Sequence, residues 1–317
     1  MLKYSLKRIL QAIPLVILVT IIAFFIINAA PGDPVNMFIN PETATPMDVE
    51  AMRISLGLDK HIIIRYFIWL GNILQGDLGM SYQHSIPVLD LILERLPNTL
   101  ILALLSTILS FLIAVPAGII SAIKKNSIWD YIFSVISFIG VSVPSFWLGL
   151  MLILLFSLKL GWLPSGGMRA NFDEFVLLDR IKHLVLPTLI LGFGSAAGIM
   201  RYMRSSMLEV INQDYIRTAR SKGLSEKIVI YKHALRNALL PIITMLAFII
   251  PGLFSGAVIT ETIFSWPGIG RLAVEATFQR NYPIMMGSIL VSSILIIIGS
   301  LLADIGYAIA DPRIKYN

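Results

Sequence analysis

The sequence predicts an all-α integral membrane protein with six transmembrane helices, and three observations support that prediction. Apolar residues make up 56% of the 317 positions, charged residues only 14%, and the mean hydropathy is +0.81. Apolar runs long enough to cross a bilayer recur six times along the chain. Lysine and arginine are concentrated in alternate segments between these runs, which is typical of multi-pass membrane proteins.

Each apolar run is predicted to form one membrane-spanning helix. A hydrocarbon core of roughly 30 Å requires about 20 helical residues, and lipid offers no hydrogen-bond partner to an unpaired backbone group. The predicted spans lie at about residues 9–30, 98–123, 131–158, 184–204, 239–263 and 284–310. Three basic residues before the first run (Lys3, Lys7 and Arg8) resemble the start of a signal peptide. The run is longer than the roughly 7–15 apolar residues of a signal peptide, so we interpret it as a retained span.

The distribution of basic residues predicts that both termini are cytosolic. With a cytosolic N-terminus, the inner segments hold 15 of the 25 lysine and arginine residues in 60 positions, and the outer segments hold 10 in 112 positions. The positive-inside rule favours this orientation. The inner segments are 1–8, 124–130, 201–238 and 311–317, and the outer segments are 31–97, 159–183 and 264–283.

The long outer segment 31–97 is predicted to contain two helices. Thr45, followed by Pro46 and Asp48, has the pattern of a helix start, and Gly57 is expected to end that helix. A second helix is expected from about His61 to Gly76. One of its faces carries an apolar stripe formed by Ile62, Tyr66, Trp69, Leu70 and Ile73. That stripe fits either a partner or membrane surface, or packing against the protein's own spans.

Two interruptions within the spans are candidates for a translocation pathway. They are the stretch Ser142, Pro144, Ser145 and the pair Pro251, Gly252. Proline frees a carbonyl group and bends a membrane helix, and helix breaks near the midplane often line a pathway. A simple packing kink is the alternative at each place. Asp304 is the only residue that we interpret as an ionisable side chain within a span, and we expect it to have a structural role at an interface.

The loop between the fourth and fifth spans is predicted to be a docking element. Asp214 fits the cap of a first short helix, Gly223 its left-handed end, and Ser225 with Glu226 the start of a second helix. The second helix has an apolar stripe at helical spacing, formed by Ile228, Tyr231 and Leu235. The region 201–238 also carries eight basic residues, which serve either docking or membrane topology.

Several kinds of chemistry lack their sequence motifs. The chain has no phosphate-binding Gly-x-x-x-x-Gly-Lys-Ser/Thr loop and no His-Glu-x-x-His motif, and its four histidines are scattered, so we predict no catalytic and no metal-binding residues. Gly192–Gly198 superficially resembles a dinucleotide-binding turn but lies inside a span. We expect Gly194 and Gly198 to allow close helix packing instead. No nucleic-acid partner is indicated, since the basic residues follow the membrane topology.

The chain resembles the permease subunits of ATP-binding-cassette importers, specifically those of the peptide and nickel branch. The loop carries Thr218–Ser225 followed by His233–Pro241, a pattern close to the coupling motif of that branch. The other matching motifs are Ala30–Pro34, Leu56–Asp59, Gly76–Gly79, Arg95–Pro97, Leu160–Pro164, Arg201–Arg204, Glu261–Gly268 and Asp311–Arg313. Two of them, Gly76–Gly79 and Leu160–Pro164, look like the "B" permease of the pair rather than the "C" permease.

The resemblance implies a type I importer permease fold and a division of labour among subunits. Residues 1–93 would form the first span plus a structured external segment, and residues 94–311 would form the permease core. The coupling loop 205–238 would engage the ATPases through Thr218, Ala219, Arg220, Gly223, His233, Leu235 and Arg236. The implied partners are a "C"-type permease in a heterodimer, two cytosolic ATPases that use ATP and magnesium, an extracytoplasmic binding protein and the lipid bilayer. The chain itself would bind no cofactor.

The resemblance also implies a location and a substrate class. The expected location is the inner, or cell, membrane of a bacterium or archaeon, and the expected substrates are di- or oligopeptides. Nickel chelates or glycosides are alternatives within the same architecture. A stand-alone secondary transporter or channel, or a structural membrane scaffold, would be a different class of protein. Co-isolation with ATPase subunits distinguishes an importer half from these.

Overall fold

The computed structural model describes residues 2–39, 45–83, 85–169 and 176–310; of these, the side chains of 2–7, 36–37, 244, 246–256 and 303–310 are not described. The described backbone is helical, with short connections. The α-helices are α1 (Leu2–Ala29), α2 (Pro46–Ser55), α3 (Ile62–Leu74), α4 (Val88–Ile123), α5 (Ile128–Ser142), α6 (Ser145–Leu152), α7 (Leu177–Ile211), α8 (Asp214–Ser221), α9 (Glu226–Ile228), α10 (Leu235–Ile263), α11 (Ile269–Phe278) and α12 (Tyr282–Ala310). A 3₁₀ turn (Pro34–Met37) and two π-helical stretches (Ile153–Lys159 and Val229–Ala234) complete the helical elements.

The helices form a bundle around the long pair α4 and α7. Helix α10 packs against both α7 and α12, and α5 packs on the outside of α7. Close approach of α4 to α7 is possible because Gly118 carries no side chain, and a Cβ there would lie 2.6 Å from the Cβ of Met203. The prediction that Gly194 and Gly198 provide such an approach is wrong within this chain, since a Cβ at either position would meet nothing within 4 Å.

Among the described residues, four helices are long and apolar enough to cross a membrane, or five if one bent pair counts as a single span. The four are Arg8–Ala29, Val88–Ile123, Leu177–Ile211 and Tyr282–Leu302. Helix α10 covers the predicted fifth span, but the side chains of its central part lie outside the description. The chain is thus a helical, multi-pass membrane protein, and the count of six spans stays a prediction.

The predicted span 131–158 consists of two helices rather than one, and the predicted interruption at Pro144 is confirmed. Helices α5 and α6 meet at an angle of 104°, with the break at Val143 and Pro144. The ring of Pro144 disfavours the α conformation in the preceding residue, and Val143 is accordingly extended, with ψ 124°. Helix α10, by contrast, continues through Pro251 and Gly252 without interruption.

The predicted helix boundaries in the segment 31–97 are confirmed. Thr45 forms a capping box with Asp48 at the start of α2, and Gly57 follows that helix with a φ of +66°. Helix α3 starts after His61. Its apolar stripe packs on the protein's own spans, because Tyr66 lies in a buried cluster with Phe24, Ile27 and Met286, with Ile62, Trp69 and Leu70 packed around them. The alternative in which this stripe faces a partner is therefore wrong.

Candidate functional site

The loop after α7 begins with the short helix α8. The prediction that Asp214 caps this helix is wrong, because Gln213 occupies the capping position with an extended backbone and Asp214 is the first helical residue. There the carboxylate favours the positive end of the helix and lies 3.6 Å from the guanidinium of Arg217. Thr218 bonds back within the helix, its hydroxyl donating to the Asp214 carbonyl at 2.9 Å.

The bend of the loop is located at Gly223, as the sequence predicts. Its φ is +78°, in the left-handed region that glycine adopts without steric cost. An ion pair closes the bend, with an Arg220 nitrogen 2.7 Å from a Glu226 oxygen. The hydrogen bond from Arg220 holds the pKa of the Glu226 carboxyl below its ordinary value of 4.5. The bend is thus a defined conformation with a polar brace across it.

The second half of the loop differs from the predicted separate helix. Ser225 precedes α9 as expected, but the helical backbone then passes through the π-helical stretch Val229–Ala234 directly into α10. The helix after the bend is therefore continuous with α10, which covers the predicted fifth span. Any rigid displacement of this half of the loop is carried by the backbone into the span.

One face of the loop is fixed to the spans by burial. The buried apolar cluster beneath it includes Ile216 and Ala219 from α8, together with Val229, Ile230 and Ala234. Met203 and Met207 of α7 and Ile119 of α4 belong to the same cluster. The hydroxyl of Ser206 donates to the carbonyl of Ala238 at 2.9 Å, and the amide of Asn237 donates to the Tyr215 hydroxyl at 2.7 Å. The loop and the adjoining ends of the spans thus share one core.

The opposite face of the loop is exposed and combines apolar and basic side chains. Tyr231 is 58% exposed, and Tyr215, Leu224 and Ile228 are also exposed. Arg217, Lys222, Lys227, Lys232 and Arg236 are exposed on the same loop. We call Tyr215, Leu224, Ile228 and Tyr231 the docking face. The predicted stripe therefore divides: Ile228 and Tyr231 face outward, whereas Leu235 packs partly against the buried core.

The predicted coupling residues occupy both faces. Thr218, Arg220, Gly223 and Arg236 are exposed, Ala219 is buried, and His233 and Leu235 are half-buried. They belong to one continuous structural unit from Asp214 to the start of α10. Their role in coupling stays a prediction.

A buried ion pair above the loop is a feature that sequence reasoning missed. The Asp130 carboxylate accepts two hydrogen bonds from the Arg204 guanidinium, at 2.7 and 2.8 Å, and a third from the backbone N–H of Asn126 at 2.9 Å. The Ser121 hydroxyl also donates to Asp130. The side chain of Asp130 is only 5% exposed. This pair joins the first turn of α5 to α7, seven residues before α7 ends.

A second buried carboxylate, that of Glu261, lies near the C-terminal end of α10, away from the loop. The interpretation that Asp304 alone is ionisable within a span is wrong, because Glu261 is buried inside the predicted span 239–263, and the side chain of Asp304 lies outside the description. One Glu261 oxygen accepts from the Thr99 hydroxyl at 2.7 Å, and the other accepts from the backbone N–H of Arg271 at 3.1 Å. The Trp266 indole N–H donates to the carbonyl of Asn98 at 3.1 Å. These bonds connect α10, α11 and α4.

The pathway candidates at the break between α5 and α6 are exposed. Ser142, Pro144 and Ser145 all present their side chains to the outside of the chain. The backbone at Pro251 and Gly252 is helical, and their side-chain surroundings lie outside the description. The assignment of these five residues to a pathway stays a prediction. Within the described part of the chain, no group of three or more metal-ligating side chains could hold a metal ion.

Two family models match the chain. Residues 114–316 match the binding-protein-dependent transport system inner membrane component, and residues 1–103 match the N-terminal model of the same kind of membrane component. The chain belongs to this family. The first match contains the loop, the Asp130–Arg204 pair and Glu261, whereas Thr99, a hydrogen-bond partner of Glu261, lies in the segment matched by the second model.

Several relatives are similar over their full length. The oligopeptide transport system permease protein AppB of Bacillus subtilis is 48% identical over 314 residues, covering 99% of each chain. A putative peptide permease protein of Brucella suis is 44% identical over 317 residues, covering 99% of each chain. The dipeptide transport system permease protein DppB of Alkalihalophilus pseudofirmus is 41% identical over 335 residues, covering 100% of each chain.

A solved structure shares the fold. The MetNI methionine ABC transporter in an inward-facing conformation has a chain that superposes with a TM-score of 0.57 at 19% sequence identity. The superposition covers 70% of the present chain and 97% of that chain. At this identity the similarity concerns the fold alone.

Proposed function

We propose that this chain is a pore-forming permease subunit of an ATP-driven importer for di- or oligopeptides. Full-length similarity to permeases named for oligopeptide and dipeptide transport supports the substrate class. The structural observation that carries the proposal is the loop from Asp214 to Ala234, whose buried face belongs to the core of the spans and whose docking face is exposed.

The docking face suits a protein partner on the cytosolic side. It combines two tyrosines and two aliphatic side chains with exposed arginine and lysine around them. Tyrosine and arginine are enriched at protein interfaces, and a buried aromatic side chain surrounded by polar residues is the usual energetic centre of an interface. Two cytosolic ATPases, which use ATP and magnesium, would therefore engage this chain and its "C"-type permease partner through such loops.

Coupling follows from the continuity of the helix. When the ATPases close on ATP, the docking face that is bound to them moves with them. The unbroken helical backbone from Glu226 to Ile263 carries that movement through the membrane. The bonds at Glu261 transmit the movement to α4 and α11 at the far end. The pore would open and close by shifts of these rigid helices against those of the second permease.

The proposal includes six spans, cytosolic termini and location in an inner or cell membrane. An extracytoplasmic binding protein would deliver the substrate to the side opposite the docking face. Single cysteines in this cysteine-free chain test the orientation. In sealed cells, Asp48→Cys should react with an impermeant maleimide, whereas Lys222→Cys should react only after the membrane is opened. Reaction of Lys222→Cys from outside would contradict the orientation.

Purification and transport test the function itself. The tagged chain should co-purify with a second permease and two ATPases, and proteoliposomes of the complex should accumulate a labelled oligopeptide when ATP and the binding protein are supplied. Tyr231→Ala should weaken retention of the ATPases, whereas Tyr202→Ala, at 56% exposure on α7, is the matched control and should not. Uptake without ATPases would indicate a secondary transporter, and selective uptake of a nickel chelate or glycoside would refute the peptide assignment.

A further inference from the structure

Helix α3 touches the membrane span α1 far from the end at which α1 leads into the segment 31–97. The hydroxyls of Tyr66 and Thr20 lie 3.1 Å apart, and Thr20 is 2% exposed. Thr20 precedes the last residue of α1, Ala29, by nine positions, which is about 13 Å along the helix at 1.5 Å per residue. Half of a bilayer's hydrocarbon core is roughly 15 Å thick, so this contact lies at the depth of acyl chains.

The groove beside α3 begins at the depth of Thr20 and extends further from the Ala29 end of α1. A cavity of about 550 Å³ is lined by Leu70, Ile73 and Leu74 of α3 together with residues of α1 and α12. The α1 part of its wall runs inward from Thr20 to Ile9, and the α12 part begins at Leu290, eight positions after α12 starts. Every turn of α3 after Tyr66 therefore borders the spans well inside the bilayer, rather than above their ends.

The face of α3 that points away from the bundle is apolar. Ile63, Ile64, Phe67 and Leu74 are 50%, 52%, 64% and 82% exposed. Leu74 lies at the edge of this face and also borders the groove. At 100° per residue these side chains fall within about 100° of the helix circumference. A helix in water would leave these large side chains unburied at a substantial loss of hydrophobic stabilisation. Acyl chains at this depth would cover them.

The polar residues of α3 occupy a different sector. Arg65 and Asn72 line an open cavity of about 590 Å³ together with Lys60, Asp77 and Tyr82. The Arg65 guanidinium lies 5.9 Å from the centre of the Phe24 ring, and Phe24 is five positions, or about 7 Å, inside the end of α1. Long basic side chains reach from an apolar depth towards polar surroundings in this way. Burial raises the pKa of Tyr82 in this cavity to about 12.

We propose that α3 is a re-entrant helix embedded in the outer leaflet of the bilayer, with Ile63, Ile64, Phe67 and Leu74 in contact with lipid acyl chains. The segment 31–97 thus enters the membrane after Lys60, runs along the groove between α1 and α12, and leaves it by Asp77. Only the part of the segment outside α3 is available to a water-soluble partner. The proposal concerns this chain's own residues and does not depend on the transported substrate.

Spin labels in the assembled transporter test this placement. The chain has no cysteine, so single variants Phe67→Cys and Leu74→Cys can be labelled in a complex whose partner subunits are also cysteine-free, reconstituted in phospholipid nanodiscs. The readout is the collision rate of each nitroxide with oxygen, which concentrates in acyl chains, and with a water-soluble nickel chelate. Ile26→Cys, at 65% exposure on α1, is the lipid-facing control, and Met47→Cys, at 80% exposure on α2, is the water-facing control.

Labels at Phe67 and Leu74 should match the label at Ile26, with frequent collisions with oxygen and few with the nickel chelate. A label at Lys60 should match Met47. Frequent collisions of the Phe67 label with the chelate would place α3 in water and overturn the proposal. Few collisions with either reagent would show that protein covers the face, and this outcome would also overturn it. The binding protein should leave the Phe67 signal unchanged.

Discussion

Replacement of Gly223 by valine tests whether the bend of the loop sets the docking geometry. The φ of Gly223 is +78°, and a Cβ at this position would meet nothing within 4 Å. The substitution therefore adds no clash, and its cost is the left-handed backbone conformation alone, roughly 1–2 kcal/mol for a residue with a side chain. That energy corresponds to about a 5- to 30-fold change in the ratio of the native bend to other conformations of the loop.

If the ATPases bind only the native bend, their affinity for the permease should fall by up to that factor, in proportion to the fraction of permease that keeps the bend. The assay is titration of the purified permease pair in nanodiscs with the ATPase subunits, with ATP hydrolysis and peptide uptake measured on the same samples. Gly223→Asn should give a smaller loss, because asparagine tolerates the left-handed region better than valine. Membrane insertion and the amount of permease should not change.

Gly57→Val is the matched control for the strain itself. Gly57 has a φ of +66° and equally open surroundings, but it lies in the segment 31–97, away from the loop. It should carry a similar conformational cost without a change in ATPase affinity. Wild-type affinity and transport in a correctly inserted Gly223→Val permease would refute the reasoning, because the bend would then have no part in docking.

Three further predictions concern the described interior and the loop. Arg204→Ala removes the cation from the buried carboxylate of Asp130, which should cost about 3 kcal/mol of stability and lower the unfolding temperature of the complex. The double variant with Asp130→Ala should recover part of the lost stability. Equal losses of stability in the single and double variants would contradict the pairing. Gly118→Ala forces α4 from α7 and should destabilise the protein by about 1–3 kcal/mol in thermal unfolding, whereas Gly198→Ala has open space and should be neutral. The hydrogen bond from Arg220 lowers the pKa of Glu226, so the Arg220–Glu226 ion pair is fully formed above pH 4.5 and is lost as the pH falls through the lowered pKa. A spin label in the loop should therefore gain mobility only at acid pH, and E226Q should lack that transition.

The apolar runs and the glycine bend could be predicted from the sequence because each is a local signal. Hydropathy identified the helical segments, and the capping box at Thr45 and the left-handed Gly223 were recognisable from neighbouring residues. Helix ends were less predictable. Helix α4 starts ten residues before the predicted span at 98, because polar residues that follow the helical pattern extend it beyond the apolar run. Hydropathy indicates where lipid ends, and the hydrogen-bonded backbone continues past that point.

The contacts that organise the interior could not be read from the sequence. Asp130 and Arg204 are 74 residues apart, and Thr99 and Glu261 are 162 apart, so neither pairing follows from local spacing. The sequence also could not show which side of α3 packs on the spans. Helix α3 is apolar on two faces, and only packing decides which one is buried. An ionisable residue near a span end, such as Glu261, was the one signal that pointed towards a buried partner.

The two buried carboxylates impose a mechanical constraint on the bundle. Glu261 connects the C-terminal end of α10 to α4 through Thr99, and Asp130 connects the C-terminal end of α4 to α7 through Arg204 and Ser121. Each carboxyl group is buried, so separating it from its partners would leave a buried acceptor without hydrogen bonds, at about 1–3 kcal/mol, and Asp130 would also lose its cation. A sliding motion that broke both networks would therefore cost much of the energy available from docking. Tilting of α4, α7 and α10 as one body preserves both networks, so the loop is expected to drive that body as a whole against its neighbours.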